Sequence, residues 1–107
     1  MTKRTKEQIE LNKKLKEWSM LVRKRDNNTC QMCGNKGLVH AHHILPRTIK
    51  EYCLDLDNGI TLCFSCHKMG NKSAHQNAIY FSNWLKMAKP YLYNTAMNKM
   101  EHYLLKK

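Results

Sequence analysis

The sequence predicts a small α+β fold, a strand–loop–strand–helix unit clasped between two cysteine pairs and flanked by helices at both ends. Three observations carry that prediction. Cys30-Gln-Met-Cys33 and Cys63-Phe-Ser-Cys66 share one internal spacing. Two short apolar runs, at 38–45 and 60–62, lie between them and read as strands. Outside the pairs, apolar residues recur at helical intervals.

The elements follow in chain order. Residues 5–25 read as a helix opened by a capping box, Thr5-Lys6-Glu7-Gln8. Its apolar stripe is Leu11, Leu15, Trp18 and Val22, with Lys13, Lys14, Lys16, Arg23, Lys24 and Arg25 around it. Asp26-Asn27-Asn28 is a stop signal. The first cysteine pair, with Gly34-Asn35 and Gly37, forms a knuckle. A strand rich in histidine follows and ends at Pro46. A loop then carries Arg47, Lys50 and Tyr52 to a turn at Asp57-Asn58-Gly59 and a second strand. A helix is expected from Cys63 onward. From Asn77 a further helix runs through Ile79, Tyr80, Trp84, Leu85 and Ala88 until Pro90 interrupts it. A last helix carries Leu92, Met97, Met100 and Leu104. The apolar residues of these C-terminal helices are expected to pack against the first helix.

With 107 residues, the chain reads as one domain spanning 1–107, with the N-terminal helix at 5–25, the central unit at 30–71 and the C-terminal helices at 77–107. There is no internal repeat, low-complexity tract or flexible linker. Nineteen Lys and Arg against eight Asp and Glu give a formal charge of +11, which favours a polyanionic partner such as nucleic acid. No apolar run approaches a membrane span of roughly 18 residues. The N-terminus is basic but leads into Glu7, Gln8 and Glu10, so a secretory signal is not expected and a reducing, intracellular setting is.

In that setting an odd count of five cysteines argues against a disulfide framework. Two Cys-x2-Cys turns separated by positions 34–62 suit one tetrahedral, closed thiolate site. Cys30, Cys33, Cys63 and Cys66 are therefore assigned to a structural Zn²⁺, which supplies folding energy that the modest core lacks. The plain alternative, buried thiols or a redox pair, is disfavoured by the two matched pairs. Cys53 is left over and reads as an ordinary small hydrophobe.

Between the pairs lies His40-Ala41-His42-His43-Ile44-Leu45-Pro46, and His67 directly follows the last cysteine. Adjacent histidines on a strand point to opposite faces, so His42 and His43 are not equivalent ligands. One is free to bind a metal while the other faces a different target. His40 shares a face with His42. It is open between a further ligand, a substrate contact and a structural or solvent-facing residue.

The order Cys-x2-Cys, His-His-Ile-x-Pro, Asn-Gly-Ile-x-Leu-Cys, x2-Cys-His resembles the HNH endonuclease family, in its phage or mobile-element forms, over about residues 18–71. That resemblance implies a zinc-stabilised ββα-metal (His-Me finger) core. It implies that His42 and His67 hold a catalytic divalent ion, that His43 is the general base, and that Asn58 orients the base or supports the metal shell. Some relatives carry another histidine four positions beyond the last one; Asn71 stands there, so two imidazole ligands are expected. His75 and His102 lie outside the pattern and receive no role. The ion would be Mg²⁺ or Mn²⁺, with Ni²⁺ or Zn²⁺ also suited to imidazole. A neutral His43 would take the proton from the attacking water.

The activity implied is hydrolysis of phosphodiester bonds in duplex DNA, by nicking or double-strand cleavage, in the cytoplasm of a bacterial host. Arg23, Arg47, Lys50 and Lys68 are the candidate DNA contacts, each with a solvated surface position as its plain alternative. A zinc-stabilised module that binds DNA or protein without catalysis is the second reading, and a nuclease for RNA or single strands is the third. A homodimer through the Met- and Tyr-rich C-terminal helix, or a packaging or recombination partner, would add site specificity; core packing is the simpler account of those residues.

Overall fold

A computed structural model describes residues 4–106. Its elements run α1 (Lys6–Arg25), β1 (Val39–His43), a 3-10 turn (Leu56–Asn58), β2 (Gly59–Cys63), a π-helical turn (Ser65–Met69), α2 (Ala78–Ala88) and α3 (Pro90–Leu105). The expected capping box opens α1: the Thr5 hydroxyl accepts from the Gln8 N–H at 3.2 Å, and the Gln8 carboxamide accepts from the Thr5 N–H at 2.8 Å. The helix stops at Asp26, and Asn27 and Asn28 turn the chain with φ of 56° and 50°. Asn tolerates that left-handed region better than most residues.

β1 and β2 form an antiparallel hairpin in which His43 faces Gly59, His42 faces Ile60 and His40 faces Leu62. Every residue of β2 is buried, so both faces of the hairpin are covered. α1 covers one face. Trp18 and Val22 are buried there, and a Cβ added at Gly59 would lie 2.5 Å from Trp18 Cζ2 and 2.7 Å from Val22 Cγ2. Gly59 is thus required by the close approach of α1, a stronger demand than that of the turn it terminates. The Thr61 hydroxyl also donates to the Val22 carbonyl, at 3.4 Å.

Ile60 and Leu62 point the other way, into the core with Cys30, Val39, Ala74, Phe81 and Leu85. Met32, Trp84, Leu92 and Tyr93 close that core. The C-terminal helices therefore pack on the hairpin and the knuckle, not on α1 as their apolar periodicity alone implied. The sheet needs cover on both faces, and α1 supplies only one. Pro90 does not merely interrupt a helix; it begins α3 at a position where its missing N–H is harmless. Leu92 and Met100 are half-buried, whereas Met97 and Leu104 are 51% and 58% exposed, so the apolar side chains of α3 are only partly core. Lys99 anchors α3 to the 3-10 turn through Asp55 at 2.8 Å and through Asp57.

After β2, the expected helix is a single π-helical turn, closed by the Gly70 N–H on the Ser65 carbonyl at 3.0 Å. The chain then doubles back. The N–H groups of Ala74 and His75 donate to the carbonyls of Cys66 and His67 at 2.8 and 3.0 Å. No helix among the described residues is long and apolar enough to cross a membrane.

Candidate metal centre

The knuckle is built by backbone as much as by spacing. The Gly34 N–H donates to the Cys30 carbonyl at 2.8 Å, and the Cys30 N–H donates to the Asn35 carbonyl at 2.8 Å. Gly34 and Gly37 have φ of 77° and 126°, where only glycine is unstrained. The second cysteine pair leaves β2 through the π-helical turn. These turns bring the sulfurs of Cys30, Cys33, Cys63 and Cys66 within 4.8 Å of one another, with Cys33 and Cys63 at 3.6 Å. All five cysteines are free thiols.

Burial alone would raise the Cys30 thiol, but backbone N–H groups of Cys63, Cys33 and Met32 hold it down at about 7. Burial and the neighbouring thiols push Cys66 up instead. A set this close, with one thiolate already favoured, fits a tetrahedral Zn²⁺. Cys53 stands apart and buried, its thiol donating to the Lys50 carbonyl at 3.4 Å.

A second cluster lies beside the first. Strand alternation turns His42 toward α2, where its ring meets Phe81 edge-on with centroids 5.1 Å apart. His67 is held by its neighbour Cys66, which faces the knuckle while His67 faces the hairpin. A π-turn accommodates two adjacent side chains with such different targets. The rings of His42 and His67 are 4.9 Å apart. His75 joins them: its Nε2 is 2.9 Å from His67 Nε2, and one ring nitrogen from each of the three falls within 4.8 Å of the others.

His75 thus stands beside the two imidazoles that the resemblance implies. It arrives by the backbone pairing of residues 66–67 with 74–75, eight positions beyond His67, and no local spacing signals that. Asn71, the position compared earlier, is exposed on the intervening turn. Burial lowers His42 to about 3 and His67 to about 4, helped in each case by the neighbouring imidazoles. His42 and His67 are therefore neutral at physiological pH, each with a lone pair free for a divalent ion. Three imidazoles without a carboxylate suit borderline transition ions better than Mg²⁺.

His43 points to the opposite face. Its ring stacks on Trp18 with centroids 3.8 Å apart and planes 8° from parallel. Its Nε2 lies 2.8 Å from the Cys53 carbonyl. A carbonyl only accepts, so Nε2 carries the proton and Nδ1 of the neutral ring keeps its lone pair. Burial lowers the ring's affinity for a second proton and the Arg47 charge adds to this, while the Cys53 carbonyl opposes them.

Asn58 is fully buried, but its side chain does not address the reacting groups. It accepts from the Leu45 N–H at 2.8 Å and donates to the carbonyls of Leu45 and Tyr52 at 3.2 and 3.1 Å. It ties together the two ends of the loop whose next carbonyl, that of Cys53, orients His43. Its reach to His43 is indirect, through the Cys53 carbonyl. Of the candidate phosphate contacts, Arg47 and Lys68 are exposed and close enough to repel a proton on His43 and His67 respectively. Lys50 is exposed on the same loop as Arg47. Arg23 is half-buried and donates through Nε to the Ser19 carbonyl of its own helix at 3.2 Å, so it is less available than its charge suggested.

Residues 30–73 match the family model described as HNH endonuclease. This segment is similar to HNH endonucleases. It holds the knuckle, the hairpin, the π-helical turn and four of the histidines above, while α1, α2, α3 and His75 lie outside it. That likeness supports a nuclease-type function for the segment and, with its cysteine cluster, metal binding. No curated protein and no solved structure matches the chain.

Proposed function

We propose that the chain is a metal-dependent HNH endonuclease that hydrolyses phosphodiester bonds in DNA, with His43 as general base. The observation that carries this reading is the split of the adjacent pair: His42 joins an imidazole cluster on one face of the hairpin, and His43 presents an oriented, unprotonated Nδ1 on the other side of the same strand. Among the described residues that nitrogen has no protein partner, which leaves it for a water. His43 Nδ1 takes a proton from water as the oxygen attacks phosphorus, and the 3′-oxygen leaves. His42, His67 and His75 would hold the divalent ion, which when bound neutralises the phosphoryl oxygens and the leaving oxygen.

Trp18 keeps the His43 ring in plane, and Asn58 keeps the Cys53 carbonyl on Nε2. Arg47, Lys50 and Lys68 contact the phosphates that flank the cut, and the +11 charge adds affinity that falls with salt. The structural Zn²⁺ of the knuckle takes no part in the step; it sets where Cys66, and therefore His67, begins.

Supercoiled plasmid incubated with Mg²⁺, Mn²⁺, Ni²⁺ or Zn²⁺, or with chelator, tests the reading. Nicking is expected with transition ions and absent with chelator. His43→Ala should lower the rate by about 10²- to 10⁴-fold, the range for loss of a general base. DNA binding with an intact plasmid under every ion would instead show a binding module. Preferential cleavage of matched RNA or single strands would reassign the substrate.

A further inference from the structure

The sequence leaves His40 open between ligand, substrate contact and a structural or solvent-facing residue. Its surroundings narrow that choice. Its Nδ1 lies 3.2 Å from Nδ1 of His67, with the rings at 65°. It stands on the same face of β1 as His42, opposite Leu62, and its other neighbour is the Phe64 ring at 6.2 Å, edge-on. His67 is therefore bounded at both ring nitrogens by imidazole nitrogen: Nε2 by His75 at 2.9 Å and Nδ1 by His40. His40 does not belong to the group that converges on a common point, which is His42, His67 and His75.

A neutral imidazole has one N–H and one lone pair, and the partner of one nitrogen decides which is which. If His67 and His75 share an ion, both Nε2 atoms must be lone pairs directed at it. The His67 proton then sits on Nδ1 and needs an acceptor. Among the described residues the nitrogen placed to accept it is His40 Nδ1, whose own proton moves to Nε2 on the exposed side. We infer that His40 is a positioning residue that holds His67 in the Nδ1–H form and so presents His67 Nε2 to the ion. A metal-binding histidine ordinarily gives its outer N–H to a carboxylate, carbonyl or water. Here a second imidazole from the hairpin takes that place, and its separate tether keeps the His67 ring facing His75. The inference rests on the metal centre proposed above.

The test uses the full chain carrying one equivalent of Zn²⁺ in the knuckle, with further Zn²⁺ titrated calorimetrically. His40→Ala removes the acceptor from an exposed position, so the fold, checked by circular dichroism, is expected to persist. Affinity for the second ion should fall by about 10- to 100-fold, the effect of losing an outer hydrogen-bond partner. His40→Asn puts a carboxamide oxygen at the Nδ1 position, one bond from Cγ, and should recover most of the loss. Long-range ¹H–¹⁵N correlation spectra should show His67 protonated at Nδ1 in the parent and in His40→Asn, but a mixture of tautomers in His40→Ala. An unchanged affinity in His40→Ala overturns the inference, and so does His40→Asn binding as weakly as His40→Ala. A parent protein that binds no second ion overturns the metal centre itself, a result distinct from either.

Discussion

The knuckle and the histidine cluster are both groups of metal-binding atoms drawn within 4.8 Å, and they are assembled in opposite ways. The knuckle takes two ligands from each of two tight turns, so spacing and backbone hydrogen bonds fix it locally. The histidine cluster takes one ligand from a strand, one from a π-helical turn and one from a returning loop. Cys30 and Cys63 are buried, Cys66 half-buried and Cys33 exposed, and four thiolates would complete the coordination of a structural ion. His67 is buried, His42 half-buried and His75 exposed, and among the described residues three candidate ligands converge there. An open position is what a substrate phosphate and a water require. The difference teaches that the locally fixed site stabilises the fold, whereas the dispersed site depends on that fold to exist.

The comparison breaks most severely at the knuckle. Cys63→Ser removes a buried ligand, and because zinc-binding energy is folding energy the whole chain should unfold, losing its helical circular dichroism and both ions together. His75→Ala should separate the two sites. The fold and the first ion are expected to remain, while affinity for the second falls by more than the roughly 100-fold that loss of an outer partner costs, and plasmid nicking falls with it. Calorimetric stoichiometry decides this; two equivalents retained at parental affinity would remove His75 from the centre. Gly59→Ala is the mildest and tests the opposite face. The added methyl drives into Trp18, so we expect about 1–3 kcal/mol of lost stability from overpacking, read by urea denaturation. Nicking should decline with both metal equivalents still bound, since Trp18 carries the His43 ring; unchanged nicking would show that the stacking does not position the base.

The same contrast explains what the sequence made legible. The cysteine pairs were readable because a two-residue gap fixes both sulfurs of a turn without reference to the rest of the chain. The opposed directions of His42 and His43 were readable from strand alternation, and the start of α1 from a four-residue capping box. His75 was not readable, because the chain returns through backbone bonds from Ala74 and His75 to Cys66 and His67, which leave no residue pattern. Trp18 was readable as a core residue, but its stacking on His43 depends on the missing side chain of Gly59, a feature of two elements at once. Asn58 was recognisable by its place in the motif. Its actual partners, Leu45 and Tyr52, emerge only when the loop is folded.

Because His42 and His43 take opposite faces by strand parity, their proposed tasks depend on the alignment of the hairpin. A slip of one residue in the pairing of β1 with β2 would turn His42 toward Trp18 and His43 toward His75. Trp18 and Arg25, which donate to the carbonyls of Asp55 at 2.7 Å and Gly59 at 2.8 Å, pin the far strand against that error. Under the proposed mechanism a misaligned molecule would be inert, so nicking would report the fidelity of one two-stranded ladder.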